Sequence, residues 1–202
     1  MKNIGIIGRG FVGNAVAKGF SEKFDYKANI RIYDIDIKKS THSIKETVNE
    51  SDFIFLSVPT PALSSGEIDL SIVNNALESI DAINEKNNIV LLRSTVVPGT
   101  TQAFQDKFKN LNLVFNPEFL TERNAVLDFA NQKRAIIGGQ SSDVEKVAML
   151  YRDRFGDTIN IVKTNFQTAE MIKYMNNLFL ATKVSFLNDM KILSDKLDID
   201  WN

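Results

Sequence analysis

Residues 4–17 read Ile4-Gly5-Ile6-Ile7-Gly8-Arg9-Gly10-Phe11-Val12-Gly13-Asn14-Ala15-Val16-Ala17. An apolar run passes into Gly-x-Gly-x-x-Gly, and a helix-forming segment follows without a break. The glycines at this spacing have separate steric uses. Gly8 permits a tight turn off the strand, Gly10 lets the backbone approach a pyrophosphate, and Gly13 lets the helix lie close to the strand. Unpaired N–H groups at the start of the helix then face the phosphates. The pattern alone is weak, and a glycine-rich turn without a ligand is the plain alternative. The next apolar run, Asn29 to Asp34, tips the balance because it ends in an acid roughly the 20 residues downstream that the dinucleotide fingerprint requires. Asp34 accepts hydrogen bonds from the adenosine ribose and repels a 2′-phosphate, which favours NAD over NADP. Lys38 and Lys39 soften that preference, since either can reach toward a phosphate or lie along the adenine.

Bulk properties narrow the class. A chain of 202 residues suits one full domain and part of another. The formal net charge is −1 with both signs interspersed, so nothing calls for nucleic acid or a membrane surface as partner. There is no basic segment leading into an apolar leader, and no apolar run approaches the ~18 residues of a membrane span. A soluble cytoplasmic protein is the expectation. Cysteine is absent, which excludes disulfides, thiolate metal sites and thiol nucleophiles within these residues. The one histidine, His42, reads as a solvated loop or helix-start residue, and no carboxylate spacing argues for a metal.

Short apolar runs recur at Lys2 to Gly8, Asn29 to Asp34, Asp52 to Val58, Asn88 to Leu92, Leu111 to Phe115 and Arg134 to Gly138. Helical patterns separate them, among them Leu70, Val73, Leu77, Ile80 and Ile83. This is the βαβ rhythm of an α/β fold with a doubly wound parallel sheet. A helix is expected over Ser142 to Phe155 and a strand over Thr158 to Val162. From Thr168 onward, Ile172, Met175, Phe179, Thr182, Phe186, Met190, Leu193 and Leu197 keep helical spacing over about eight turns. Thr164-x-x-Gln167 is the expected capping box of this helix. Such a helix either links domains and pairs subunits or packs back on its own domain. The expected division is a dinucleotide-binding domain over residues 1–163 and a long helix over 164–202 that opens a central, dimerising domain.

In doubly wound sheets ligands sit beyond the carboxyl ends of the strands. Three such ends carry polar or stiffened segments: Ser57-Val58-Pro59-Thr60-Pro61, Arg93-Ser94-Thr95-Val96-Val97-Pro98-Gly99-Thr100, and Asn116-Pro117-Glu118-Phe119-Leu120-Thr121-Glu122. The prolines hold Thr60 toward the cofactor. Lys173 and Asn177 are one helical turn apart and share a face. Oxidation of an alcohol by a nicotinamide needs a base or polarising group at the hydroxyl, and these two residues are the candidates. Glu118 is a candidate base on water, with Thr95 positioning that water. Each residue taken singly has a bland reading as a solvated, capping or helix-terminal group.

Together these segments resemble the UDP-glucose/GDP-mannose dehydrogenase family along nearly the whole chain. The resemblance is carried by Gly8-Arg9-Gly10-Phe11-Val12-Gly13, Val58-Pro59-Thr60-Pro61, Ser94-Thr95-Val96-Val97-Pro98-Gly99-Thr100, Asn116-Pro117-Glu118-Phe119-Leu120-x-Glu122, Arg134-Ala135-Ile136-Ile137-Gly138 and Thr168-Ala169-Glu170-x-x-Lys173-x-x-x-Asn177-x-Phe179-Leu180-Ala181. It implies an NAD-dependent oxidation of a nucleotide-sugar alcohol, such as UDP-glucose, twice over to the uronic acid for polysaccharide synthesis. It also implies roles. Lys173 and Asn177 serve the alkoxide and oxyanion, Glu118 activates water with Thr95, and the backbone near Phe119 and Leu120 holds the sugar. Glu122 lies near the nicotinamide and Thr60 near the cofactor ribose. The implied cofactor contacts are Gly8, Gly10, Phe11, Val12, Gly13, Asp34, Lys39, Pro59, Thr60, Thr95 and Glu122. Family members usually have glycine where this chain has Arg123, and proline and an acid where it has Gln132-Lys133. They also continue into a Gly-x-Gly-Gly-x-Cys-x-x-Lys-Asp segment and a sugar-nucleotide domain, so the 202 residues are expected to bind NAD without turnover. The competing readings are a hydroxyacid or 6-phosphogluconate-type dehydrogenase and a non-catalytic cofactor-binding module that pairs through its last helix.

Overall fold

A computed structural model describes residues 1–201. Seven strands form one sheet in the order β2-β1-β3-β4-β5-β6-β7. They are β1 Lys2–Ile7, β2 Ala28–Tyr33, β3 Phe53–Leu56, β4 Ile89–Leu92, β5 Asn112–Phe115, β6 Arg134–Gly139 and β7 Asn160–Thr164. The helices are α1 Phe11–Gly19, α2 Ile44–Asn49, α3 Ser71–Asp81, α4 Thr100–Lys107, α5 Ala125–Ala130, α6 Ser141–Phe155 and α7 Phe166–Lys196. The expected strands are all present, with ends shifted by one or two residues. Every residue of β3 and β4 is buried, as befits strands covered on both faces.

Alternation along the strands divides the core into two layers. Ile4, Ile6, Phe55 and Leu91 face α1, α5 and α6, while Ile54, Leu56, Val90 and Leu92 face α3, α4 and the first turns of α7. In α3 the buried residues Val73, Leu77 and Ile80 keep the spacing that the sequence predicts. Ser43 and Glu46 close a reciprocal capping box at the start of α2.

The sheet is mostly parallel, as expected, with one reversal. β6 pairs antiparallel to β5, with Phe115 opposite Gly138, and β7 then runs parallel to β6. The reason lies in the connection. The segment after β5 does not cross back along the sheet but packs α5 against α1, with Ala125 and Phe129 in one core cluster with Ala15 and Val16, so β6 enters from the edge at which β5 leaves. Arg134 therefore starts its strand beside the carboxyl ends of β1, β3, β4 and β5.

The cap of α7 also differs from expectation. Thr164 is the last residue of β7, paired with Gly138, and Asn165 caps the helix by accepting a hydrogen bond from the Thr168 amide at 2.8 Å. The helix leaves the domain after its first turns. Phe166, Ala169, Glu170 and Lys173 are buried, whereas Met175, Phe179, Val184, Phe186, Leu193 and Leu197 are exposed. Gly138 makes the buried seat possible, since a Cβ there would lie 2.6 Å from Ala169 Cβ. Glu170 fastens it by accepting from the Gly99 and Thr101 amides at 2.6 and 2.7 Å at the start of α4. Among the described residues no helix is long and apolar enough to cross a membrane.

Candidate active site

The glycine turn shows different constraints at its three positions. Gly8 has φ of 89°, and a Cβ on it would lie 2.5 Å from the Ser57 carbonyl oxygen. A Cβ on Gly13 would fall 1.9 Å from the Gly8 carbonyl oxygen, so strand and helix approach as closely as a bare backbone allows. A Cβ on Gly10 would meet nothing within 4 Å. No packing among the described residues requires a glycine at that position. The open space above it lies at the start of α1, which is where a pyrophosphate would use free amides. The residues present therefore fit a dinucleotide.

The ribose end is equally ordered. Asp34 accepts from the Arg9 amide at 2.6 Å and the Asp36 amide at 2.9 Å, so its carboxylate is fixed at the end of β2 beside the turn. Lys39 closes the short turn Ile37–Lys39, with its carbonyl 3.0 Å from Arg9 Nη1 and its Nζ 4.0 Å from Asp36. His42 sits outside this arrangement, its Nδ1 2.8 Å from Thr41 Oγ1. Among the described residues no cluster of His, Cys, Asp or Glu side chains could hold a metal ion.

At the other end of the glycine turn a cleft of about 150 Å³ is lined by Phe11, Val12, Pro59, Thr60, Thr95 and Glu118, among others. It gathers the start of α1 and the ends of β3, β4 and β5. Thr60 donates to the Thr95 carbonyl at 2.9 Å, which ties two strand-end loops together. Glu118 is bound on both oxygens, by Lys173 Nζ at 2.7 Å and by the Leu120 amide at 2.7 Å. Lys173 also donates to the Glu118 carbonyl at 2.5 Å, and Phe119 carries the Lys173 and Arg134 cations 5.4 and 4.8 Å from its ring centroid. Asn177 lies one turn along α7 and is partly buried. Glu122 is exposed, in the short turn Glu122–Asn124, and does not line the cleft.

Beside Glu118 a second cavity of about 530 Å³ is lined in part by Phe119, Leu120, Gln132, Lys133, Arg134 and Tyr151. Behind it lies a group of residues to which the sequence assigned no role. Arg93, buried at 3% exposure between the Phe55 and Phe129 rings, donates to Asn116 Oδ1 at 2.6 Å and to Tyr151 Oη at 3.2 Å. Tyr151 donates to the same Asn116 oxygen at 2.5 Å, and Asn116 Nδ2 donates to the Ile136 carbonyl at 2.8 Å. The turn that presents Glu118 is thus anchored to β4, β6 and α6. The available signal was parity, because Arg93 continues the inward alternation of Ile89 and Leu91.

Comparison with known proteins is decisive about family. The model of the UDP-glucose/GDP-mannose dehydrogenase family, NAD binding domain, matches residues 38–154. The chain belongs to the UDP-glucose/GDP-mannose dehydrogenase family. The central-domain model of that family matches residues 167–202. A UDP-glucose 6-dehydrogenase of Rickettsia bellii is 35% identical over 80% of this chain and 38% of its own length. An uncharacterized protein of Methanocaldococcus jannaschii is 34% identical over 98% of this chain and 26% of its own. A GDP-mannose dehydrogenase of Pseudomonas aeruginosa, solved as a ternary complex, superposes with a TM-score of 0.83 at 26% identity, over 99% of this chain and 54% of that one. The chain spans well under two thirds of each of these relatives. The family's NAD binding domain points to NAD as the cofactor.

Proposed function

We propose that these residues are the NAD-binding half of a nucleotide-sugar 6-dehydrogenase that oxidises the C6 alcohol of a sugar such as that of UDP-glucose to the acid. The observation that carries this reading is the buried Lys173–Glu118 pair, set beside the cleft that opens from the glycine turn. NAD, when bound, accepts the hydride. Gly8, Gly10, Gly13 and the first turn of α1 with Phe11 and Val12 hold its pyrophosphate, Asp34 and Lys39 border its adenosine ribose, and Pro59, Thr60 and Thr95 flank its nicotinamide end, with Glu122 on the exposed turn outside that cleft.

Lys173 is the group that meets the sugar hydroxyl. Its ammonium sits at a buried site where water competes poorly, so it stabilises a developing alkoxide strongly. Asn177 adds a neutral donor from the next turn of the same face. A hydroxyl arriving at Lys173 replaces one of its two bonds to Glu118, which frees a carboxylate oxygen to take the hydroxyl proton through a water held by Thr95. The 530 Å³ cavity beside Phe119 and Leu120 has the volume for a sugar, and Gln132 and Lys133 on its wall set it apart from relatives with proline and an acid there. The 202 residues contain no cysteine, so a thioester route to the acid takes its sulfur from residues outside them.

The division between cofactor domain and central domain falls at residues 163–164, at the end of β7 and just ahead of α7. The exposed apolar face of α7 pairs with a second copy to make a homodimer. The protein works in the cytoplasm. Calorimetric titration of the chain with NAD tests the cofactor half of the reading. Saturable binding is the expected result, and the absence of binding at millimolar NAD overturns it.

A further inference from the structure

The Asp34 end of the site holds two opposed determinants. Asp34 repels a 2′-phosphate, as an acid at this position does. Its neighbour across the turn, Arg9, bonds to it only through the main-chain amide, at 2.6 Å. The Arg9 guanidinium instead reaches over to the Lys39 carbonyl at 3.0 Å, and among the described residues no carboxylate forms an ion pair with it. That bond spans from the glycine turn to the loop after β2, so the side chain is held across the ribose end rather than swinging free. Asp36 is shared with Lys39 at 4.0 Å, and Lys38 lies alongside with only its amide engaged, at 3.1 Å from Asp36. Three cationic residues, Arg9, Lys38 and Lys39, thus share the turn at the end of β2 with two acids, Asp34 and Asp36.

We infer that Arg9 is a latent 2′-phosphate ligand, so that cofactor choice in this chain is set by a contest between Asp34 and Arg9 rather than by Asp34 alone. The planar guanidinium matches a phosphate in geometry and charge, and its one neutral partner is readily exchanged for a phosphate oxygen. With Asp34 present, repulsion prevails and the unphosphorylated ribose is bound. With the Asp34 charge removed, Arg9 and the two lysines leave the ribose end strongly cationic. This inference rests on the reading of the glycine turn and Asp34 as an NAD site.

The test is equilibrium binding of ADP-ribose and of its 2′-phosphate to the 202-residue chain and three variants. Wild type prefers ADP-ribose. Asp34→Ser keeps a small acceptor for the turn amides and shifts the preference toward the 2′-phosphate by about tenfold or more. Asp34→Ser with Arg9→Ala loses that shift. Arg9→Ala alone, which leaves the Asp34 bonds in place, widens the wild-type preference for ADP-ribose and serves if Asp34→Ser fails to fold. Equal weakening of both ligands by Arg9→Ala overturns the inference and makes Arg9 an adenine or loop support. Failure of wild type to bind either ligand overturns the cofactor-site reading itself.

Discussion

Lys173 Nζ donates to both the side chain and the main-chain carbonyl of Glu118, at 2.7 and 2.5 Å, with 5% and 11% of the two side chains exposed. One helix residue thereby holds the strand-end turn that carries its own partner. Removing one member leaves the other charge buried without a counter-ion. Lys173→Met is expected to cost about 3 kcal/mol of folding stability, and Lys173→Met with Glu118→Gln to recover at least half. Urea unfolding of the two proteins measures this, and a single-variant cost under about 0.5 kcal/mol would show the pair to be solvated.

The glycine turn separates folding from binding. Gly13→Ala places a methyl group against the Gly8 carbonyl and is expected to destabilise the chain by about 1–3 kcal/mol. Gly10 has φ of −74°, which alanine adopts freely, and a Cβ there would meet no atom of the described residues within 4 Å. Gly10→Ala is therefore expected to fold within about 0.5 kcal/mol of wild type while losing NAD affinity. Paired thermal melts and NAD titrations decide it. Unchanged NAD affinity in Gly10→Ala would remove the pyrophosphate from that position.

Tyr151→Phe deletes one hydroxyl that serves both Asn116 and Arg93. Because the site is buried, water cannot replace it, and a loss of about 1–2 kcal/mol is expected in denaturant unfolding. A neutral result would mean that Arg93 and Asn116 hold the Glu118 turn without the tyrosine.

The exposed face of α7 is expected to drive association. Phe179 and Phe186 are 69% and 58% exposed on the isolated chain, a cost in water that a second copy relieves. Sedimentation equilibrium should give a dimer for wild type and a monomer for Phe179→Glu with Phe186→Glu, with helix content unchanged. A wild-type monomer at high concentration would refute pairing through this helix.

Alkaline stability should register Tyr26. Burial, and then its 2.6 Å hydrogen bond to Asp153, raise its phenol above the ordinary value of 10.0. A folded value above the unfolded one stabilises the fold fully below the unfolded value, and that contribution fades as pH rises past it toward the folded value. The drop in Tm between about pH 9 and pH 11 is expected to be shallower in Tyr26→Phe than in wild type. Equal drops would assign the alkaline loss to other groups.

Much of the fold was legible because its causes are local. Apolar runs between helical patterns marked every strand, and three glycines followed by an acid marked the dinucleotide turn, since steric demands on φ and on Cβ act within a few residues. The cap of α7 was misplaced by one residue because both Thr164 and Asn165 suit a cap, and only the pairing of Thr164 in β7 decides between them. The direction of β6 was not legible either, since an apolar run reads the same for a strand of either direction. Tertiary structure decided it through the packing of α5 on α1, which leaves the chain at the edge where β5 ends.

The site divides along the same line. Sequence by itself determined the residue types, their order and the ends of strands at which they fall. Tertiary structure alone joined Lys173 to Glu118 across 55 positions and Arg93 to Tyr151 across 58, and left Glu122 exposed although it stands in the same motif as Glu118. Local rules follow from bond geometry and the periods of helix and strand, whereas a contact between distant residues is set by how whole layers pack, and there the seat of α7 on Gly138 was the deciding element.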